Sequence, residues 1–137
     1  MPLMGTNPDT AGFYKSYLST LKETPKAILV VTAHWMEDKI TVSSGKSHPL
    51  LFDYGGFPKE TYEYKYPAPG DPALAERIQS LLKAAKIPCG GDSKREWDHG
   101  VFVPCMILSP DAKIPIVSMS LLNSLDSESH VAVGQAL

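Results

Sequence analysis

Only two cysteines, Cys89 and Cys105, stand in these 137 residues, and no C-x-x-C pair is formed. That scarcity excludes a disulfide-stapled scaffold and a structural zinc site made of closely spaced Cys/His pairs. Two reduced thiols in an ordinary core fit a cytoplasmic chain. No apolar run approaches the ~20 residues needed to cross a bilayer, and the longest surrounds Ala27–Val31. The start, Met1-Pro2-Leu3-Met4, lacks the basic and apolar regions of a secretory signal. Basic residues are also in short supply: 13 Lys and Arg face 15 Asp and Glu, for a net charge of -2, and they form no cluster. A nucleic-acid footprint is therefore not expected. Neither G-x-x-x-x-G-K-[ST] nor G-x-G-x-x-G occurs, which removes the common phosphate loops, and no G-x-S-x-G supplies a nucleophile elbow. What remains is a chain of ordinary make-up, 43% hydrophobic and 20% charged, with the length of one domain.

Periodicity orders that chain. Asn7-Pro8-Asp9 reads as a helix start, and Phe13, Tyr14, Tyr17, Leu18 and Leu21 recur at helical steps through about Lys22. Thr24-Pro25 stops the helix. Ala27–Val31 then reads as a buried parallel strand that ends in His34-Trp35. Lys39–Ser43 alternates Ile40 and Val42 with polar neighbours, as an edge or half-exposed strand would. Gly45–Gly70 has no sustained period but is rich in Gly, Pro and aromatics, so it reads as a packed covering loop or a functional one. Asp71-Pro72 caps a second helix that runs to about Lys86. Ile87-Pro88-Cys89 is a short strand candidate leading into Gly90-Gly91. Val101–Leu108 is strand or helix; as a helix it starts near Phe102 or Val103, so that Pro104 falls in the first turn. Ile114–Leu121 is a buried strand, and Ser127-Glu128-Ser129 opens a last helix. The alternation predicts an α/β fold with a mostly parallel or mixed sheet, in one domain that is not whole.

The histidines are where chemistry can enter. In open α/β sheets the ligand crevice lies beyond the carboxyl ends of the strands. His34 is expected there, either as a metal or substrate contact or as a strand cap bonded to backbone. His48 and His99 lie in Gly- and Pro-rich turns, whereas His130, in the last helix, reads as a surface or packing residue. Two distant histidines and a carboxylate make the donor set of an open non-heme iron site, although spacing alone leaves this untested.

Four motifs in register carry a resemblance. Thr32-Ala33-His34-Trp35, Asp53-Tyr54-Gly55-Gly56-Phe57-Pro58, Tyr66-Pro67-Ala68-Pro69-Gly70, and Asp98-His99-Gly100 with Val103-Pro104 together resemble the class III extradiol ring-cleavage dioxygenases. Within that class the chain is most similar to the LigB-related, DOPA 4,5-dioxygenase-like branch. The resemblance implies that His34 is a metal ligand, for Fe(II) in working enzymes or zinc at the same position. It implies that His99 is a catalytic residue contacting substrate or sharing in proton transfer, and that Asp53, Tyr54 and Phe57 line the substrate pocket, with His48 facing the same cavity or satisfied within its own turn. The implied partners are a small catechol, such as DOPA, and O₂. A catechol chelated through both oxygens is more acidic, and a neutral imidazole suits the proton transfers because its unperturbed pKa is about 6.5.

The same resemblance implies that residues 1–137 are a partial LigB-like domain. Family members begin with a His-Gly turn that supplies another metal histidine, and Met1-Pro2-Leu3-Met4-Gly5 resembles the residues just after that turn. Their remaining ligands fall beyond the residue matching Leu137. Two expectations result: a ring-cleaving dioxygenase in which these residues alone turn over little, or a truncated or silent zinc-binding relative.

Overall fold

The computed structural model describes residues 8–137, so the cap expected at Asn7 lies outside the described residues. Helix α1 spans Pro8–Thr20, and the extended strand β1 spans Ile28–Glu37. Strand β2 is Ile40–Ser43, helix α2 Pro72–Ala84, and strand β3 Cys89–Asp92. Helix α3 covers His99–Leu108, strand β4 Ile116–Leu122, and helix α4 Ser127–Ala136. Four strands form one mixed sheet in the order β1-β4-β2-β3. β1 runs parallel to β4 and β2 parallel to β3, while β2 meets β4 antiparallel at Val42 and Met119. The α/β expectation holds.

Two apolar clusters cover the sheet from opposite sides. Ile40, Val42, Val117 and Met119 pack against Ala75, Ile78 and Leu82 of α2 and Val133 of α4. Ile116, with Ile28 and Val30, packs against Val101, Phe102 and Cys105 of α3 and against Tyr66 and Trp97. β4 serves both clusters because successive side chains of a strand point to opposite faces. Its five residues Ile116–Ser120 are all buried.

The two leading strands change places relative to the sequence reading. β1, expected to be buried, is an edge strand on which Val31 is 52% exposed. It also continues past His34 to Glu37. Its pairing with β4 is irregular: Val31 is opposite Met119 and Met36 opposite Leu121, so β1 carries extra residues across Thr32–Trp35. Such an insertion re-aims side chains at the rim of a sheet. β2, expected at an edge, is interior and wholly buried. Its hydroxyls are absorbed locally: Thr41 donates to the Lys39 carbonyl, and Ser43 Oγ accepts from the Ser118 amide at 2.8 Å. Ser120 Oγ accepts from the Thr41 amide in turn.

α3 starts earlier than expected, at His99, and Pro104 stands inside it. Its first amides are already satisfied from outside the helix. Asp53 accepts from the His99 amide, the Asp98 side chain from Gly100, and the Asp98 carbonyl from Val101 and Phe102. A proline removes one amide and crowds the carbonyl four residues back, here that of Gly100. β3 begins at Cys89 rather than Ile87. The segment 45–70 is held by paired backbone at Leu50–Trp97 and Gly70–Ile116 and contains a short 3₁₀ turn, Lys59–Tyr62. Both expectations for it are met in part: Tyr66 is 5% exposed, with its hydroxyl donating to the Cys105 and Ser109 carbonyls, while Asp53 and Tyr54 reach the site.

Candidate active site

The site forms where three elements meet: the irregular stretch of β1, the N-terminus of α3, and the 45–70 loop. From these come His34, His99 and Asp53, whose donor atoms lie within 4.8 Å of one another. Asp53 joins the two rings. Its Oδ2 accepts from His34 Nδ1 at 3.1 Å, and its Oδ1 accepts from His99 Nδ1 at 2.8 Å and from the His99 amide at 2.9 Å. The rings meet edge to face with centroids 4.2 Å apart. Side-chain exposures of 43% for His34, 31% for His99 and 21% for Asp53 keep the cluster open to a small ligand.

Electrostatics fixes the protons. Burial pushes the Asp53 carboxyl up, but the backbone and ring bonds from His99 outweigh it and hold the group below its ordinary value. Asp53 is thus ionised at neutral pH and can only accept. Both Nδ1 atoms must then carry hydrogen, so in neutral rings both Nε2 atoms keep a free lone pair. Among the described residues neither Nε2 has a hydrogen-bond partner. A histidine that gives one ring N–H to a carboxylate and keeps its other nitrogen bare is the usual form of a metal-ligating imidazole. The residues present fit a metal.

An aromatic wall stands beside the imidazoles. Tyr54 and His99 meet edge to face with ring centroids 5.5 Å apart, and Phe57 and Tyr54 do the same at 5.5 Å. Phe52, Tyr62 and Phe102 continue the cluster. Burial raises the Tyr54 hydroxyl above its ordinary value, so it stays protonated and donates to the Thr61 carbonyl.

Of the residues singled out from sequence, His34, Asp53, His99, Tyr54 and Phe57 therefore come together. His48 is not in the cluster. It is 7% exposed, stacks near Trp97, and sets its ring nitrogens against the Arg95 and Gly45 carbonyls, its turn-satisfied alternative. His130 acts in packing: its Nδ1 donates to the Asp126 carbonyl and its Nε2 accepts from the Leu122 amide. Sequence reading gave Asp53 a place in the pocket wall but not its bridge between two rings. It also gave Thr32 and Asp98, both within the quoted motifs, no role of their own, although Asp98 precedes His99 as a helix cap and Thr32 lies two residues before His34.

A layered α/β fold that gathers two imidazoles on one carboxylate beside an aromatic wall defines a class: an α/β protein with metal-fitting imidazoles at the open corner of its sheet. Comparison with known proteins narrows it. The family described as the catalytic LigB subunit of aromatic ring-opening dioxygenase matches residues 5–137, and the chain belongs to that family. It is 47% identical over 114 residues to the dioxygenase tasH of Hapsidospora irregularis, covering 82% of this chain and 35% of that protein. It is 44% identical to the 4,5-DOPA dioxygenase extradiol of Beta vulgaris, covering 82% and 42%. The crystal structure of the uncharacterized protein JW3007 from Escherichia coli K12 matches with a TM-score of 0.62 and 35% identity, over 81% of this chain and 39% of that one. The chain thus spans about two fifths of the length of these relatives.

Proposed function

We propose that this chain carries the imidazole and aromatic part of an extradiol, ring-cleaving dioxygenase that acts on a catechol such as DOPA, with Fe(II) as its metal. One observation supports the reading above others: the Asp53 carboxylate takes the Nδ1–H of both His34 and His99 and leaves both Nε2 atoms bare. His34 Nε2 is the metal ligand in this reading. His99 Nε2 accepts a proton from a catechol hydroxyl, and the rings of Tyr54 and Phe57 orient the substrate plane. When bound, the metal supplies Lewis acidity toward the catechol oxygens and redox chemistry toward O₂. His48 has no role here. The reaction fits a cytoplasmic setting, and among the described residues no helix is long and apolar enough to cross a membrane.

Because the relatives are longer, turnover belongs to the whole LigB fold, to which these residues contribute the His34 ligand. A chimera tests it, with the matching segment of the Beta vulgaris relative replaced by this chain's residues. Loaded anaerobically with Fe(II) and then exposed to air, the folded chimera is expected to consume O₂ and turn DOPA yellow, and His34→Ala in it to abolish both. A chimera that folds and binds Fe(II) yet takes up no O₂ with any catechol would refute ring cleavage and leave a silent metal-binding relative.

A further inference from the structure

Beneath the imidazoles lies a polar network that the reaction does not touch. Asp98 has a side chain only 1% exposed, and its carboxylate has three partners. Oδ1 accepts from Thr32 Oγ1 at 2.8 Å and from the Gly100 amide at 3.0 Å, and Oδ2 accepts from Arg95 Nη2 at 3.1 Å. Thr32 Oγ1 in turn accepts from the His34 amide at 3.2 Å. The Arg95 guanidinium also lies over the Trp35 ring, 4.5 Å from its centroid. The network therefore grips both ends of the β1 irregularity, Thr32 and Trp35, and the first turn of α3.

Such a construction is costly unless something requires it. Removing a carboxylate and a guanidinium from water carries a desolvation penalty of several kcal/mol per ion, which apolar packing of equal volume avoids. The irregular stretch explains the requirement, since Thr32–Trp35 lacks regular pairing to β4 to hold it in place. Gly100 completes the fit. A Cβ there would fall 2.9 Å from Asp98 Oδ1, 3.0 Å from Thr32 Oγ1 and 3.2 Å from His34 Cδ2, so only glycine lets strand, helix and carboxylate close to this distance.

We propose that buried Asp98, acting through Thr32, the α3 first turn and Arg95, is a positioning residue that sets the separation and orientation of His34 and His99. The proposal rests on the reading of those two imidazoles as the working groups, but it concerns their geometry and is measurable without metal or substrate.

The test compares Thr32→Val, Thr32→Ser and Asp98→Asn in the full chain, with Leu82→Ala in the opposite apolar cluster as a control for lost stability. Imidazole ¹⁵N resonances are recorded without metal, and Zn(II) affinity is then measured by calorimetry. Thr32→Val and Asp98→Asn are expected to move the His34 and His99 signals and to weaken Zn(II) binding by about tenfold, the lower end for groups that orient ligands. Thr32→Ser, which keeps the hydroxyl, is expected to restore both readouts. Leu82→Ala is expected to lower Tm while leaving the ring signals in place. Thr32→Val with wild-type ring signals, or Leu82→Ala moving them equally, would overturn the proposal. If the wild type bound Zn(II) too weakly to measure, the metal-free ring signals alone would decide whether the network positions the imidazoles.

Discussion

One carboxylate that serves two imidazoles ties the protonation of both to a single residue. Asp53 can do this because its two oxygens diverge, one toward each ring, and because the His99 amide anchors the side chain at a third point. A carboxamide in its place has one acceptor oxygen, and its nitrogen would face a ring N–H that also donates. Asp53→Asn is therefore expected to free one ring to change tautomer, which ¹⁵N-resolved spectra of the imidazoles report directly. Metal affinity should fall by roughly 10- to 100-fold, the range for partners of ligating histidines. Unchanged tautomers and affinity in Asp53→Asn would show that the bridge is incidental. At this scale the sequence was partly legible. Motif order singled out His34, His99 and Asp53, but the bridge between residues 19 and 46 positions apart depends on how the loop returns to the sheet.

Among the elements, β1 and β2 show where local pattern and tertiary placement part. Ala27–Val31 is apolar at every position, which is the signature of a strand covered on both faces. Here only one face is covered: Val30 joins the cluster around Phe102, while Leu29 and Val31 are exposed at an edge. β2 shows the converse. Alternation with Thr and Ser reads as a half-wet strand, yet cross-strand hydroxyl–amide bonds let Thr41 and Ser43 sit in the interior. Neither fact is local. The helices were more legible because caps are written in the nearby chain, as with Asp71, which accepts from the Leu74 amide. The last helix repeats this one residue before the expected signal: Asp126 caps α4 by accepting from the Ser129 amide at 2.8 Å. Its bonds with Ser129 hold the Asp126 carboxyl below its ordinary value. A group whose folded pKa is depressed stabilises the fold above its unfolded pKa and loses that contribution as pH falls through the folded value. Asp126→Asn is thus expected to lower Tm at neutral pH, with the gap to wild type closing as pH drops below the ordinary carboxylate range. A gap that persisted or widened in acid would contradict the cap's ionic part.

As a whole molecule, the chain builds a covered sheet and brings one corner of it to solvent. Helices α2 and α4 close one face, α3 and the long loop close the other, and the open corner at β1 and α3 holds the imidazoles. The residues that make the site thus come from segments far apart in sequence, and the fold must form before the donors meet. The central claim is that a metal binds at this corner through His34. The most direct check is a Zn(II) titration of the metal-free chimera with the Beta vulgaris relative and of its His34→Ala variant, followed by calorimetry and imidazole ¹⁵N resonances. The expected result is one bound ion, a displaced His34 Nε2 signal with Nδ1 still protonated toward Asp53, and loss of binding in His34→Ala. Binding that survives His34→Ala unchanged, or a chimera with His34 intact whose His34 signal does not respond to the metal, would contradict it.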